Sequence, residues 1–248
     1  MNYEGCTRDA VRVTLGTEHF AEANEAVREA LAHADTVVVE QAFAQRYLGC
    51  AMPAGKRLEI HGVPGNDLAC YMDGGSIEVF GNAQDQVGNT MNHGRVVIHG
   101  RCGDALGYGM RGGRIFVRDG CGWRAGIHMK QYGERRPVLV IGGDAGNFLG
   151  EYLAGGTIVL LGHAGNYLAR GMHGGVVYLR HPLDPADVQD GLVQEPADAD
   201  DKAFLAEVLG EYAEYFADEL TEPVDATGDG FWRLRPASSR PYASMYAN

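Results

Sequence analysis

From Gly62 to His181 one pattern returns six times: a glycine, Gly or Ala about seven residues on, Met three later, Gly three later, then alternating apolar residues. The repeats open at Gly62, Gly81, Gly100, Gly120, Gly143 and Gly162, at spacings of 19, 19, 20, 23 and 19 residues. A period near twenty without helical stretches is that of a solenoid, in which each repeat buries its apolar side only by stacking on its neighbours. The row Met72, Met91, Met110, Met129, Leu153 and Met172 is expected in the interior, as is the row Leu68, Val87, Leu106, Ala125, Leu149 and Leu168. Ile77 and Val79, Val96 and Ile98, Ile115 and Val117, Ile158 and Leu160, Val177 and Leu179 alternate as strands with one face buried. Between them Glu78, Val97, Phe116, Val159 and Tyr178 are expected to point outward. Gly75, Gly94, Gly113, Gly156 and Gly175 recur where the chain must turn a corner. Asn66, Asp85, Asp104, Asn147 and Asn166 share a column, where small polar side chains can bond turn backbone from coil to coil.

Three stretches carry a family resemblance: GNAQDQVGNTMNHGRVVIHG from Gly81 to Gly100, GDALGYGMRGGRIFVRDG from Gly103 to Gly120, and GDAGNFLGEYLAGGTIVLLG from Gly143 to Gly162. They resemble the glycine-repeat (GXGXG) domain at the C-terminal end of the glutamate synthase large (alpha) subunit, which also occurs as a separate chain. The tail RPASSRPY, Arg235 to Tyr242, is similar to that of the stand-alone relatives. The resemblance implies a mainly β fold, a single-stranded right-handed β-helix; the spacing by itself says solenoid and leaves the hand open. The glycine-repeat scaffold of formylmethanofuran dehydrogenase, with its bacterial formyltransferase/hydrolase counterpart, uses the same repeat.

The repeat sets the expected organisation: an N-terminal αβ cap over 1–57, a β-helix of about six coils over 58–181, and over 182–248 an acidic connector, an amphipathic helix and a tail rich in aromatics and arginine. In the cap, Phe20, Ala23, Val27, Ala30 and Leu31 predict a helix over 18–34, followed by a strand at Thr36 to Glu40. Such a cap shields the open strand edge of a first coil beginning at Leu58. Phe204, Leu205, Val208, Leu209, Tyr212, Tyr215, Phe216 and Leu220 predict a second helix from about Lys202 to Leu220. Its wide apolar stripe must be buried, on the solenoid or on another chain. The tail from Phe231, with Trp232, Tyr242 and Tyr246, is expected in a groove of its own or a neighbour's surface.

The net charge of −12 over 248 residues is uneven, with twelve carboxylates against Lys202 alone in 181–220. The fourth coil runs the other way. Its repeat is broken by an insertion, KQYGERRPVLVIGG, and Arg111, Arg114, Arg118, Arg124, Lys130, Arg135 and Arg136 face only Asp119 and Glu134 over 111–136. Insertions in solenoids become loops on one face, so these seven residues are the candidate partner interface, the alternative being a solvated loop. A nucleic-acid binder would show one concentrated basic face with stacking aromatics, so no nucleic-acid partner is expected. No apolar run approaches the roughly 20 residues of a membrane span, so no membrane partner is expected either.

Catalytic signatures are sparse. Gly107, Gly109 and Gly112 have GxGxxG spacing, but that fingerprint opens a helix and here a strand follows. His61 with His99, or His163 with His173 and His181, are placed to meet across coils, without a zinc-binding spacing to support them. Cys70, Cys102 and Cys121 fall at different columns on separate coils and assemble no iron–sulfur cluster. The serines, Ser76, Ser238, Ser239 and Ser244, include no nucleophile elbow. No catalytic, cofactor-binding or metal residue is therefore assigned. Five scattered cysteines and a start without a basic or apolar signal segment lead us to expect reduced thiols and a cytoplasmic location.

In the resembling complexes, glutamine amidotransfer and the FMN- and iron–sulfur-dependent reduction of 2-iminoglutarate to glutamate occur in other domains or chains. The resemblance implies a non-catalytic scaffold that holds amidotransferase and FMN-binding synthase subunits in register. FMN and iron–sulfur clusters belong to those partners, no cofactor belongs to this chain, and a homo-oligomer is compatible with the role. Related three-chain systems make N-methylglutamate, which leaves the amine donor open.

Overall fold

The computed structural model describes residues 10–238. Its elements are β1 (Ala10–Thr14), α1 (Phe20–His33), β2 (Thr36–Phe43), β3 (Arg57–Val63), β4 (Asp73–Phe80), β5 (His93–Ile98), β6 (Arg114–Val117), β7 (Val138–Ile141), β8 (Ala154–Leu160), β9 (Gly174–Leu179), β10 (Leu192–Pro196), α2 (Ala199–Phe216) and β11 (Trp232–Pro236). Strands β1 to β9 lie side by side in parallel; β11 returns antiparallel against β9, with β10 outside it. This is a β-solenoid. Eight strands, β2 to β9, stack at one per coil, so the glycine count of six is too low. Of the two strands outside that count, β3 closes a coil that runs from β2, and β2 itself begins the stack. Ala42 stands opposite Gly62, where the pattern asks for the opening glycine, yet Leu48 and Met52 continue the interior rows beneath Leu68 and Met72.

Each coil turns through three alternate residues of left-handed φ, such as Asp67, Ala69 and Tyr71 at 61°, 60° and 56°. A non-glycine residue there costs roughly 1–2 kcal/mol, and the stack holds it in place by satisfying its backbone. Asp67 and Tyr71 donate forward to the carbonyls of Asp85 and Asn89, while Ala69 donates back to that of Leu48. The middle position is held by Gly or Ala in every repeat, and at Gly88, whose φ is +70°, even a Cβ would lie 2.4 Å from Ile115 Cδ1.

The polar column is a ladder. Asn66, Asp85, Asp104 and Asn147 accept from the backbone N–H of Asp85, Asp104, Trp123 and Asn166 at 3.2, 2.8, 2.7 and 2.9 Å. Each rung satisfies a turn amide that would otherwise have no partner. Trp123, which stands in that column one coil before Asn147, has no side-chain acceptor to offer, and the ladder resumes after the insertion.

The interior is one continuous apolar core containing the methionine row, the Leu68 row and the inward residues of every strand, with Ala23, Val27 and Leu31 of α1 packed at its first end. The outward residues Val97, Phe116, Val140, Val159 and Tyr178 are buried too. Leu205, Val208, Leu209, Tyr212 and Phe216 of α2 cover them in a second core. A parallel sheet covered on both faces is the expected arrangement for near-continuous Val, Ile and Leu strands. The C-terminal apolar stripe is thus buried within the chain.

α2 starts earlier than its apolar stripe suggests, because Asp198 accepts from the N–H groups of Asp200 and Asp201 at 3.1 and 3.0 Å while Asp201 accepts from that of Asp198 at 3.0 Å. This reciprocal cap draws the end of the acidic connector into the helix, which closes at Phe216 rather than Leu220. Phe231 is buried in the second core and Trp232 begins β11, so the start of the tail also lies on its own chain. Tyr242 and Tyr246 fall outside the described residues. Among those residues no helix is long and apolar enough to cross a membrane.

Candidate partner interface

The structure divides the seven basic residues into two groups. Arg114, at the start of β6, reaches Glu207 at 2.6 Å and also Glu211, which lies one turn further along α2. Burial alone would lower the affinity of the Arg114 guanidinium for its proton, but the bonds to Glu207 and Glu211 more than reverse this. Arg118 bonds Asp119 at 2.9 Å and pairs with Glu219 just beyond α2. The bond from Arg118 holds the Asp119 carboxyl below its ordinary range, outweighing partial desolvation. Arg136 donates to Thr157 Oγ1 at 2.9 Å and lies 4.5 Å from the centre of the Phe204 ring on α2. Arg124 lies 3.4 Å from Glu151 and 5.0 Å from the centre of the Phe148 ring. Three of these four fasten α2 to the sheet; Arg124 ties neighbouring coils together.

Arg111, Lys130 and Arg135 differ: among the described residues none of them forms an ion pair, and all three are exposed. Asn92, Arg111 and Lys130 each follow an interior methionine, in successive coils. Their N–H groups donate to the carbonyls of Met72, Met91 and Met110 at 2.8, 2.8 and 2.9 Å, which fixes their side chains in one column. The insertion then bends back as a tight hairpin in which Tyr132 and Arg135 exchange backbone hydrogen bonds of 3.1 Å. Arg135 is thereby set over Gly112, whose missing Cβ would lie 3.3 Å from that of Arg135. Asn92, Arg111, Lys130, Tyr132 and Arg135 enclose a notch of about 450 Å³. Glu134, in the hairpin, is exposed and forms no ion pair among the described residues.

Elsewhere the chemistry-bearing residues have structural partners. Gly107 and Gly109 are left-handed turn positions, and a Cβ at Gly112 would lie 2.1 Å from the carbonyl oxygen of Asn92. His61 and His99 are separated by the Phe80 ring, stacked between them at 4.9 and 4.5 Å. His163 stacks on His181 at 4.2 Å. Among the described residues no three His, Cys, Asp or Glu side chains gather in a metal-binding cluster. Cys102 and Cys121, both free thiols, prove to be paired through their backbones as parallel neighbours on adjacent coils, contrary to the different columns expected, because the spacing of 20 at that coil shifts the count by one. Burial pushes the Cys121 thiol up to about 12.

Sequence reasoning located Arg111, Lys130 and Arg135 but grouped them with Arg114, Arg118 and Arg136, which face α2, and with Arg124, which binds the next coil. It missed Asn92, which column arithmetic finds, since it follows Met91 as Arg111 follows Met110. Tyr132 has no such signal, because a hairpin inside an insertion follows no column.

The profile of the GXGXG motif family matches residues 21–236, from α1 through the last strand. The chain is also similar to the uncharacterized protein MJ1350 of Methanocaldococcus jannaschii, at 39% identity over 249 residues, covering 92% of this chain and 93% of the relative.

Proposed function

Because the chain belongs to the GXGXG motif family, we propose that it is a non-catalytic structural subunit of a glutamate synthase-like oxidoreductase complex. The observation that carries the proposal is the extent of the family match, residues 21–236, over a solenoid whose interior is filled by stacked Met, Leu, Val and Ile side chains. Such an interior offers rigidity and a long surface rather than a reaction chamber. The chain acts as a rod that keeps an amidotransferase subunit and an FMN- and iron–sulfur-bearing synthase subunit at a set separation. The redox cofactors reside in the synthase partner, and the complex works in nitrogen metabolism in the cytoplasm.

The test is affinity purification of the tagged full chain from native extract, with the co-purifying chains identified by mass spectrometry. An amidotransferase and a flavin-dependent synthase should be recovered together, and the chain purified alone should be colourless and inactive in glutamate formation. Recovery of formyltransferase and amidohydrolase chains instead would move it to a formyl-transfer complex. One flavin per isolated chain would refute the structural role.

A further inference from the structure

We propose that the notch formed by Arg111, Lys130 and Arg135, with Tyr132 as its wall, is the docking site for a carboxylate-rich segment of a partner subunit. The inference rests on the scaffold reading and narrows it to one surface. On a chain with 33 Asp and Glu against 21 Lys and Arg, the simplest fate for a cation is an internal partner. Most described Lys and Arg residues have one, Arg12, Arg57, Arg114, Arg118, Arg124, Arg233 and Arg235 among them; Arg28, Arg46, Arg101 and Arg170 form no ion pair among the described residues either, but they line no notch with Arg111, Lys130 and Arg135. Three cations that converge on one notch with no carboxylate among its described lining residues repel one another, and they hold an unfilled preference for an anion.

The form of the notch favours a protein segment over a small anion. Successive coils are set about 4.8 Å apart by their backbone hydrogen bonds, so Arg111 and Lys130 present a fixed pair of charges rather than two independent side chains. Arg135 is brought opposite them by the hairpin, so the cations surround the notch instead of lying in one line. Tyr132, 70% exposed, supplies an apolar wall. Just before the interior row in sequence, Tyr152 stacks on His128 at 5.2 Å and Tyr108 meets His128 edge-on at 6.0 Å. Exposed Tyr beside Arg is the composition of a protein interface core. Half of the twelve carboxylates in the chain's own acidic segment are engaged elsewhere: Glu195, Asp198 and Asp201 hold Arg233, Glu207 and Glu211 hold Arg114, and Glu219 holds Arg118.

The test compares the full chain with Arg111→Glu/Arg135→Glu and with Arg28→Glu/Arg101→Glu, a control of equal charge change at exposed sites away from the notch. Each is titrated calorimetrically with a hexaglutamate peptide and, separately, with inorganic pyrophosphate. Each is also used to capture partners from native extract across a salt series. The notch variant should fold normally, lose about tenfold or more in peptide affinity and release the partner at lower salt, with the control within about twofold of wild type. Unchanged peptide affinity and partner recovery in the notch variant would overturn the proposal. Pyrophosphate binding as tightly as the peptide would make the notch a small-anion site, and self-association abolished by the notch substitutions would make its occupant a second copy; either overturns it. Peptide binding that depends on the notch, with no amidotransferase or synthase captured by wild type, would sustain the anion-binding surface and refute the scaffold assignment alone.

Discussion

Replacing Met110 by Ala tests the column assignment on which the whole architecture rests. Met110 is 0% exposed, in the middle of the methionine row between Met91 and Met129. The substitution deletes Cγ, Sδ and Cε, and large-to-small changes of this kind cost about 2–5 kcal/mol, the spread reflecting how far the site collapses. Here the neighbours above and below are themselves methionines, flexible enough to lean into part of the space, which places the expected cost at about 2–3 kcal/mol. Each kcal/mol moves the midpoint by roughly 2–4 °C in a chain of this size, so Tm should fall by about 4–12 °C. Arg111, the next residue, is exposed, and Arg111→Ala should stay within about 0.5 kcal/mol of wild type. Differential scanning calorimetry of the three proteins in one buffer measures both effects. A Met110→Ala midpoint within about 1 °C of wild type, or an equal fall for Arg111→Ala, would refute an interior methionine row and with it the register of every coil.

The buried ring of His99 places Nε2 3.1 Å from Glu78 Oε1 and Nδ1 against Glu219, with Arg57 behind Glu78 and Arg118 behind Glu219. Burial alone would lower the His99 pKa, but the bonds to Glu78 and Glu219 and their charges raise it overall, while the bond from His99 lowers that of Glu78. The stability from His99 is therefore complete below about 6.5 and lost as pH rises through its raised value, and that from Glu78 is complete above about 4.5 and lost as pH falls through its lowered value. His99→Gln should flatten the decline of Tm between about pH 6 and 9; an unchanged profile would exclude the clamp. Tyr212→Phe removes the buried hydroxyl that donates to the Arg118 carbonyl at 3.0 Å and should cost about 1–2 kcal/mol in urea unfolding, whereas no cost would mean that α2 does not seat there. Cys102 and Cys121 are buried and their pKa values raised, so both should resist iodoacetamide at pH 8 until the chain is unfolded, which peptide mapping reads directly.

The solenoid, its interior rows, the outward residues of the strands and the polar ladder are all legible in the sequence, because each is a nearest-neighbour property. A coil contacts the coils beside it at a fixed offset of about twenty residues, and residues that do the same task recur at that offset. The first coil escapes the count only because Ala42 replaces a glycine whose role was used to find the others. What depends on long-range packing is decided only by the tertiary structure. Nothing periodic in the sequence says that α2 returns more than eighty residues to cover Val97 and Phe116, or that its Glu207, Glu211 and the following Glu219 take up Arg114 and Arg118. That folding back divides the seven basic residues of the charge map. Four are bound within the chain, and Arg111, Lys130 and Arg135 are left around a notch that exists only because the insertion closes into a hairpin over the column. Charge is a property of residues, and whether it is available to a partner depends on what the rest of the chain has placed beside it.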